Sequence, residues 1–183
     1  MRRDKMYCSA YLSPMGAITI ASDGDHLIGL WNDGQKYHGN EIFKGMTERD
    51  DLPVFVRTKK WLDRYFAGER PLISELPLAP AGSAFRQTVW AILCKIPYGE
   101  TVTYGDIAKR IAAKMNKEKM SAQAVGGAVG HNPISIVIPC HRVVGSDGNL
   151  TGYAGGIDVK IKLLEHEGAD ISKLSVPKKG TAI

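Results

Sequence analysis

The stretch from residue 71 to 83, PLISELPLAPAGS, limits what this chain can fold into more than any other. Pro71, Pro77 and Pro80 remove backbone donors, and with Gly82 they favour turns, so neither a helix nor a central strand can run through it. The stretch between about Leu72 and Ser83 is read as a linker, and the chain as two pieces, 1–80 and 81–183. Each piece is long enough to bury a core of its own. Strand signals gather before the linker and helix signals after it. The expected class is α+β: a small N-terminal α/β domain with an antiparallel sheet, then a mainly helical C-terminal domain.

In the first piece, GAITIASD alternates and is β-branched, and HLIGLWNDG follows the turn signal Asp23-Gly24-Asp25. Together they predict a hairpin. VFVRTKKWLDRYFAGERP predicts a helix with Val54, Trp61, Leu62, Tyr65 and Phe66 near a 3.6 period, ended by Gly68 and Pro71. In the second piece, Ser83 caps a helix bearing Phe85, Val89, Ile92, Leu93 and Ile96, with Cys94 at the edge of its apolar face. Thr103 and Asp106 form a capping-box-like start for the next helix, whose apolar stripe is Ile107 and Ile111. After the charged connector NKEK, Ser121 caps SAQAVGGAVGHNP, which must end before Pro133. Two short helices joined by a connector predict a helix-turn-helix-like element.

Charge supports that assignment. Residues 1–80 carry 11 Lys and Arg against 11 Asp and Glu; residues 81–183 carry 13 against 8, the whole excess of five. A positive field in one half favours a polyanion partner, although a lysine-rich solvated surface explains the excess equally well. No apolar run nears the roughly 20 residues that span a bilayer, and no apolar core follows the basic N-terminus, so an intracellular protein without a membrane partner is expected. Cys8, Cys94 and Cys140 are widely spaced and odd in number, which suits neither a disulfide framework nor a zinc site; no metal is expected.

The helix after Ser121 is unusual. Ala122, Ala124, Gly126, Gly127, Ala128 and Gly130 leave almost no side-chain bulk, and each glycine costs a helix about 1 kcal/mol against alanine. Close packing on a neighbouring helix would compensate. So would close approach to a large ligand such as a DNA backbone, whose phosphates could also meet the N–H groups of the helix start.

The chemistry is concentrated in IPCHRVVG, residues 138–145. The run PISIVIPCHRVVG is apolar and β-branched, and is read as a buried extended segment leading into a loop at Pro139. Apolar burial alone raises a thiol's pKa, so Cys140 needs groups that favour its thiolate. His141 can take a proton, and a carboxylate can orient the imidazole. VKIKLLEHEGAD offers Glu165 and Glu167, two apart on a predicted helix and so on different faces. Taken singly, Cys140 reads as a small core residue, His141 as a satisfied histidine and Arg142 as half of a structural ion pair. Together, beside the glycine-rich GSDGNLTGYAGG with its one tyrosine, they read as an activated thiol next to a loop able to wall a flat pocket.

With these residues the chain resembles the O(6)-methylguanine–DNA methyltransferase family. IPCHRVVG matches that family's active-site signature, and IPYGETVTYGDIA, AVGGAVGHNP, GYAGG and LLEHEG extend the match from about Phe85 to Gly168. For the looser first half the resemblance implies an RNase H-like α/β fold, and for the second a winged helix-turn-helix-like element. It implies repair of duplex DNA by irreversible, stoichiometric transfer of the alkyl group from O(6)-alkylguanine to Cys140, by a monomer with no cofactor. O(4)-alkylthymine as a second substrate stays open. His141 would act as base through a water, held by Glu167, and Asn132 would position the loops. Tyr104 would crowd the 3′ phosphate and help rotate the nucleotide out. Tyr153 and the backbone at Ala154 would donate to the flipped base, and the carbonyls of Cys140 and Val143 would accept from it. Thr103, Ser121, Ala122, Gln123, Ala124, Gly126 and Arg142 would contact DNA, with the small residues letting the helix lie in a minor groove about 6 Å wide.

The family usually has an arginine where this chain has Gln123, which brings no charge and less stacking surface into the gap left by a flipped base. Lys114, Lys117 and Lys119, in a longer connector, would recover phosphate affinity. Two other classes compete: a module that recognises alkylated guanine without chemistry, which would lack Cys140, and a cysteine hydrolase, whose Cys and His are usually distant in sequence.

Overall fold

Gly24, at φ +115°, turns the chain between β2 (Gly16–Ser22) and β3 (Leu27–Asn32), which pair antiparallel as predicted. The computed structural model describes residues 5–36 and 45–176. It separates into two units, Met1–Ala81 with Pro133–Ser135, and Gly82–Asn132 with Ile136–Ile183.

In the first unit the sheet order is β3-β2-β1-β4. β1 (Tyr7–Ser13) is antiparallel to β2, and β4 (Thr47–Glu48) adds a short parallel edge. Sequence patterning missed β1 because serines occupy its inward positions. Ser9 and Ser13 are buried; the Ser9 hydroxyl donates to Asp50 and that of Ser13 to the Gly16 carbonyl at 2.7 Å. Those bonds offset the cost of burying a hydroxyl, which a hydropathy pattern cannot register.

α1 (Pro53–Phe66) packs on the sheet through Val54, Phe55, Trp61, Leu62 and Tyr65, and Gly68 at φ +86° ends it. Phe66 is only half-buried, edge-on to Tyr65 with ring centroids 5.1 Å apart. The predicted linker proves to be tied down. The Leu27 N–H donates to Pro77 O and the Ala79 N–H to Leu27 O, a bridge along the open edge of β3. Further along that edge Leu30 bonds Pro133 O and the Ser135 N–H, so two short segments cover a strand edge that would otherwise be exposed.

In the second unit Ser83 caps α2 (Ala84–Leu93), Thr103 caps α3 (Tyr104–Lys114) and Ser121 caps α4 (Ala122–Gly130), each accepting an N–H from three residues on. α4 packs on both α2 and α3 through Val125, Gly126, Ala128 and Val129. Bare backbone there lets the Trp90 indole donate to the Ala128 carbonyl at 2.9 Å. Gly127 and Gly130 differ: a Cβ at either would meet nothing within 4 Å. Among the described residues the strands of this unit are a two-residue parallel pair, β5 (Val102–Thr103) with β6 (Val143–Val144). α5 (Ile157–His166) covers a core of Val144, Leu150 and Leu164.

Trp90→Phe keeps an aromatic side chain but removes the indole N–H, orphans the Ala128 carbonyl and leaves a small void in the core. It should destabilise the protein by about 1–3 kcal/mol, read as a lower urea midpoint.

Candidate active site

Residues 134–139 are buried, as expected, but after the bridge at Ile134 the chain turns instead of staying extended. Ile136 sits at φ +69°, where a β-branched side chain is strained, and Pro139 (φ −81°, ψ 64°) centres an inverse γ-turn closed by Cys140 N–H donating to Ile138 O at 2.8 Å. Cys140–Arg142 then form one 3-10 turn before β6. The apolar run signals burial, and the proline ring dictates the turn that sets Cys140. The Asn132 amide, just past the end of α4, donates to Ile138 O at 2.8 Å and to Cys140 Sγ at 3.1 Å.

The choice between the two glutamates is settled by the end of α5. Glu165 is exposed, whereas Glu167 is the C-cap and 4% exposed. Its Oε1 accepts from His141 Nε2 at 2.7 Å and from an Arg142 terminal nitrogen at 2.9 Å. Its Oε2 accepts from Arg142 Nε at 2.7 Å and from the Gly99 N–H at 3.2 Å. Gly99 is required there: its φ is +78°, and a Cβ would fall 2.7 Å from the Glu167 carbonyl oxygen. Burial works to raise the Glu167 pKa, but the bonds from His141 and Arg142 outweigh it and hold the carboxyl well below its usual range. An ionised carboxylate only accepts, so the His141 proton lies on Nε2 and the basic lone pair on Nδ1. That Nδ1 is buried and has no hydrogen-bond partner among the described residues. Burial also lowers the His141 pKa against the pull of Glu167, which favours neutral imidazole.

Arg142, expected among the DNA contacts, is turned inward instead. It is 7% exposed, grips Glu167 with two nitrogens, donates to Ile96 O at 2.6 Å and lies 5.6 Å from the Tyr98 ring centroid. A guanidinium so engaged has no free fork for a phosphate. Gly126 is likewise corrected from a DNA contact to a buried packing position on α4. Ser121, Ala122, Gln123 and Ala124 are exposed at the start of α4, as are Lys114 at the end of α3 and Lys117 and Lys119 on the connector between the two helices. Thr103 is half-buried and spends its hydroxyl on Asp106.

Tyr104 is 8% exposed, and its hydroxyl donates to Thr151 O at 3.0 Å. Gly152 permits this: at φ +80°, its Cβ would lie 2.3 Å from that hydroxyl. Tyr153, 8% exposed, stands edge-on to the His141 ring at 6.5 Å, and Ala154 is half-buried beside it in sequence. Val143 O accepts from Lys160 Nζ at 2.5 Å, and the Cys140 carbonyl from the Val143 N–H. Lys160 and Gly152 were not singled out from sequence, and Gly99 was read only as part of the helix stop Pro97-Tyr98-Gly99, not as a contact of Glu167. The one available signal was a lysine on the stripe of α5 that also holds Leu163 and Leu164.

A buried thiol held by an amide, beside a histidine bound to a carboxylate, defines a protein built around cysteine chemistry, and its second unit exposes a capped helix of small residues. The model for the 6-O-methylguanine DNA methyltransferase DNA binding domain matches residues 84–169, and that for the ribonuclease-like domain matches residues 6–80. The chain is 44% identical to the methylated-DNA–protein-cysteine methyltransferase of Haemophilus influenzae over 162 residues, 88% of this chain and 86% of that one. It is 40% identical to the protein of the same name from Methanosarcina acetivorans, covering 90% and 99%. The structure of Mycobacterium tuberculosis O6-methylguanine methyltransferase superposes with a TM-score of 0.76 at 40% identity, covering 95% and 96%. A structure of Mycobacterium tuberculosis OGT in complex with DNA gives 0.75 at 40%, covering 92% and 94%. The chain belongs to the O(6)-methylguanine–DNA methyltransferase family.

Glu167→Gln leaves the buried Arg142 without its counter-charge and should cost about 3–5 kcal/mol at neutral pH. The folded Glu167 pKa lies below the unfolded value, so its contribution is present above about pH 4.5 and is lost as pH falls towards the folded pKa. Urea midpoints from neutral pH down to pH 3 should therefore fall less steeply in the variant than in wild type.

Proposed function

We propose that this chain repairs alkylated duplex DNA by moving the alkyl group of O(6)-alkylguanine irreversibly onto Cys140. Family membership supports the reaction class. The observation that carries the residue assignment is the chain of contacts from Asn132 to Cys140 Sγ and from His141 Nε2 to Glu167. The Cys140 proton passes through a water to His141 Nδ1, the ring nitrogen without a hydrogen-bond partner among the described residues. The thiolate attacks the methyl carbon in line. The S–C bond forms as the O–C bond breaks, its electron pair stays on the guanine oxygen, and the guanine takes up the proton that the water and His141 removed from the thiol. The thioether product carries no acidic proton and no labile bond, so each chain acts once.

A thiol that is 5% exposed cannot reach a methyl group inside a stacked duplex, so the base must leave the stack, at a cost of a few kcal/mol. Tyr153 and the backbone near Ala154 then line the flipped base, and the Val143 carbonyl accepts from its amino group. The groove contact is α4. Gln123, Gly127 and Gly130 fall at i, i+4 and i+7, one face of the helix. Among the described residues nothing requires glycine at the last two, because a Cβ there meets nothing within 4 Å. A bare face with no internal cause supports close approach of a minor groove, with Gln123 filling the gap left by the base. Lys114, Lys117 and Lys119 add phosphate contacts at one end.

Intact-protein mass after incubation with duplex containing O(6)-methylguanine tests the reaction. One methyl gained per chain, absent in Cys140→Ala, is expected; bound oligonucleotide with no mass gain favours recognition without chemistry. For the groove face, Gly127→Ala and Gly130→Ala should each stabilise the fold by about 1 kcal/mol while slowing transfer from duplex. Stabilisation with an unchanged rate would place the DNA elsewhere.

A further inference from the structure

The transfer step uses Cys140, His141, Glu167 and Asn132, and leaves one buried charged group without a role. Lys160 is 0% exposed, in the middle of α5. Its hydrogen-bond partners among the described residues are two backbone carbonyls, Val143 O at 2.5 Å and Thr151 O at 3.0 Å. It bonds no carboxylate. A buried ammonium with only dipoles around it is costly unless a negative charge is near.

The groups that face it from each neighbouring element are few. From the 3-10 turn they are Cys140 and His141, and from α3 Tyr104, whose hydroxyl shares the Thr151 carbonyl with the Lys160 ammonium; Arg142 and Glu167 lie a step further, bonded to each other and, through Glu167, to His141. On α5 itself Asp158, Lys162 and Glu165 are exposed, and His166 is half-buried. Glu167 is matched by Arg142 and occupied by four donors. His141 is held neutral, and Tyr104 is pushed towards its neutral form by burial and then by Cys140. The Lys160 charge is therefore unbalanced until Cys140 ionises. The two groups act on each other: burial brings the Lys160 pKa down to about 8, and the Cys140 charge opposes that fall.

We propose that Lys160 is a positioning residue for the transfer: its buried ammonium is the standing counter-ion of the Cys140 thiolate, and its two carbonyl bonds pin the segments at Val143 and Thr151 that wall the site. This rests on Cys140 being the alkyl acceptor. His141 removes the thiol proton, and Lys160 makes the remaining charge tolerable in a site that water does not solvate. The second role reaches Tyr104 as well, because Thr151 O accepts from both the Lys160 ammonium and the Tyr104 hydroxyl.

The test separates charge from hydrogen bonding and needs no DNA. The rate of Cys140 carboxamidomethylation by iodoacetamide is followed against pH, by mass of the Cys140 peptide, in wild type, Lys160→Gln and Lys160→Arg. Glutamine keeps a donor for the carbonyls but no charge. A fixed cation lowers the pH at which the thiolate forms, so losing it moves the profile to higher pH. The expected result is a rate about tenfold lower at pH 7 for Lys160→Gln, converging on wild type at high pH, with Lys160→Arg recovering most of the loss. A Lys160→Gln profile that superimposes on wild type overturns the proposal. A measurement on the wild-type chain covers the case of a variant that does not fold. The Lys160 13Cε resonance is titrated before and after S-alkylation of Cys140. Coupling is reciprocal, so the Lys160 midpoint must fall once the thiolate is gone, and an unmoved midpoint rejects the counter-ion role. Methyl transfer from duplex is scored separately. A shifted iodoacetamide profile with no transfer from DNA would keep Lys160's role and remove the repair reading.

Discussion

The Glu167 carboxylate is the contact on which the second unit's site depends. Four donors converge on its two oxygens from two separate stretches of chain: the Gly99 N–H after α2, and His141 and Arg142 of the 3-10 turn. Arg142 then carries the connection on to Ile96 O. A buried ion pair contributes little net stability against an apolar replacement of equal volume, because desolvating both charges offsets their attraction. What the arrangement supplies is direction. The carboxylate holds the imidazole by one nitrogen, which decides the tautomer and leaves the other nitrogen as the base. It also absorbs the Arg142 charge, so that guanidinium does not act on the thiol unscreened.

Much of the fold was legible in the sequence because its signals are local. Each of Ser83, Thr103 and Ser121 caps the helix it was expected to cap, and Gly24 and Gly68 stand at positive φ where the chain turns. What escaped is non-local. β1 hides its inward face behind serines whose hydroxyls are paired across the fold. The apolar run before Cys140 signals burial, but its left-handed Ile136 and its γ-turn at Pro139 are imposed by surroundings that no periodicity encodes. The linker looked free because its prolines break elements; the same prolines suit the edge pairing it makes at Leu78.

The site divides in the same way. Cys140 and His141 stand out by adjacency, and the need for a carboxylate follows from the chemistry. Which carboxylate does not: Glu165 and Glu167 differ only in the face they present, and α5 ends between them. Arg142, read singly, was half of a structural ion pair, and the structure shows that pair with Glu167; the DNA contact that the resemblance implied is the part that burial corrects. Lys160 is the plainest omission. A lysine on an apolar helical stripe is normally a stem lying along the surface with its charge in water. Here the charge itself is inside.

α4 joins the two functions of the second unit. Its exposed start carries Gln123, and Asn132, just beyond its end, donates to Cys140 Sγ. At 1.5 Å per residue the two positions stand roughly 13 Å apart along a nearly rigid rod. The bare face that suits a groove and the amide that holds the sulfur are therefore set at a fixed separation by one short element. That rod is weak by composition, since Gly126, Gly127 and Gly130 all lower its helical propensity. Its compensation is internal: the Ser121 cap, the Trp90 bond to Ala128 O and the packing of Val125 and Val129 keep one face in place. Beyond Gln123, the opposite face is left bare at Gly127 and Gly130 without loss of the helix. A bulkier helix would be more stable and would stand further from any groove, and the sulfur would move back with it.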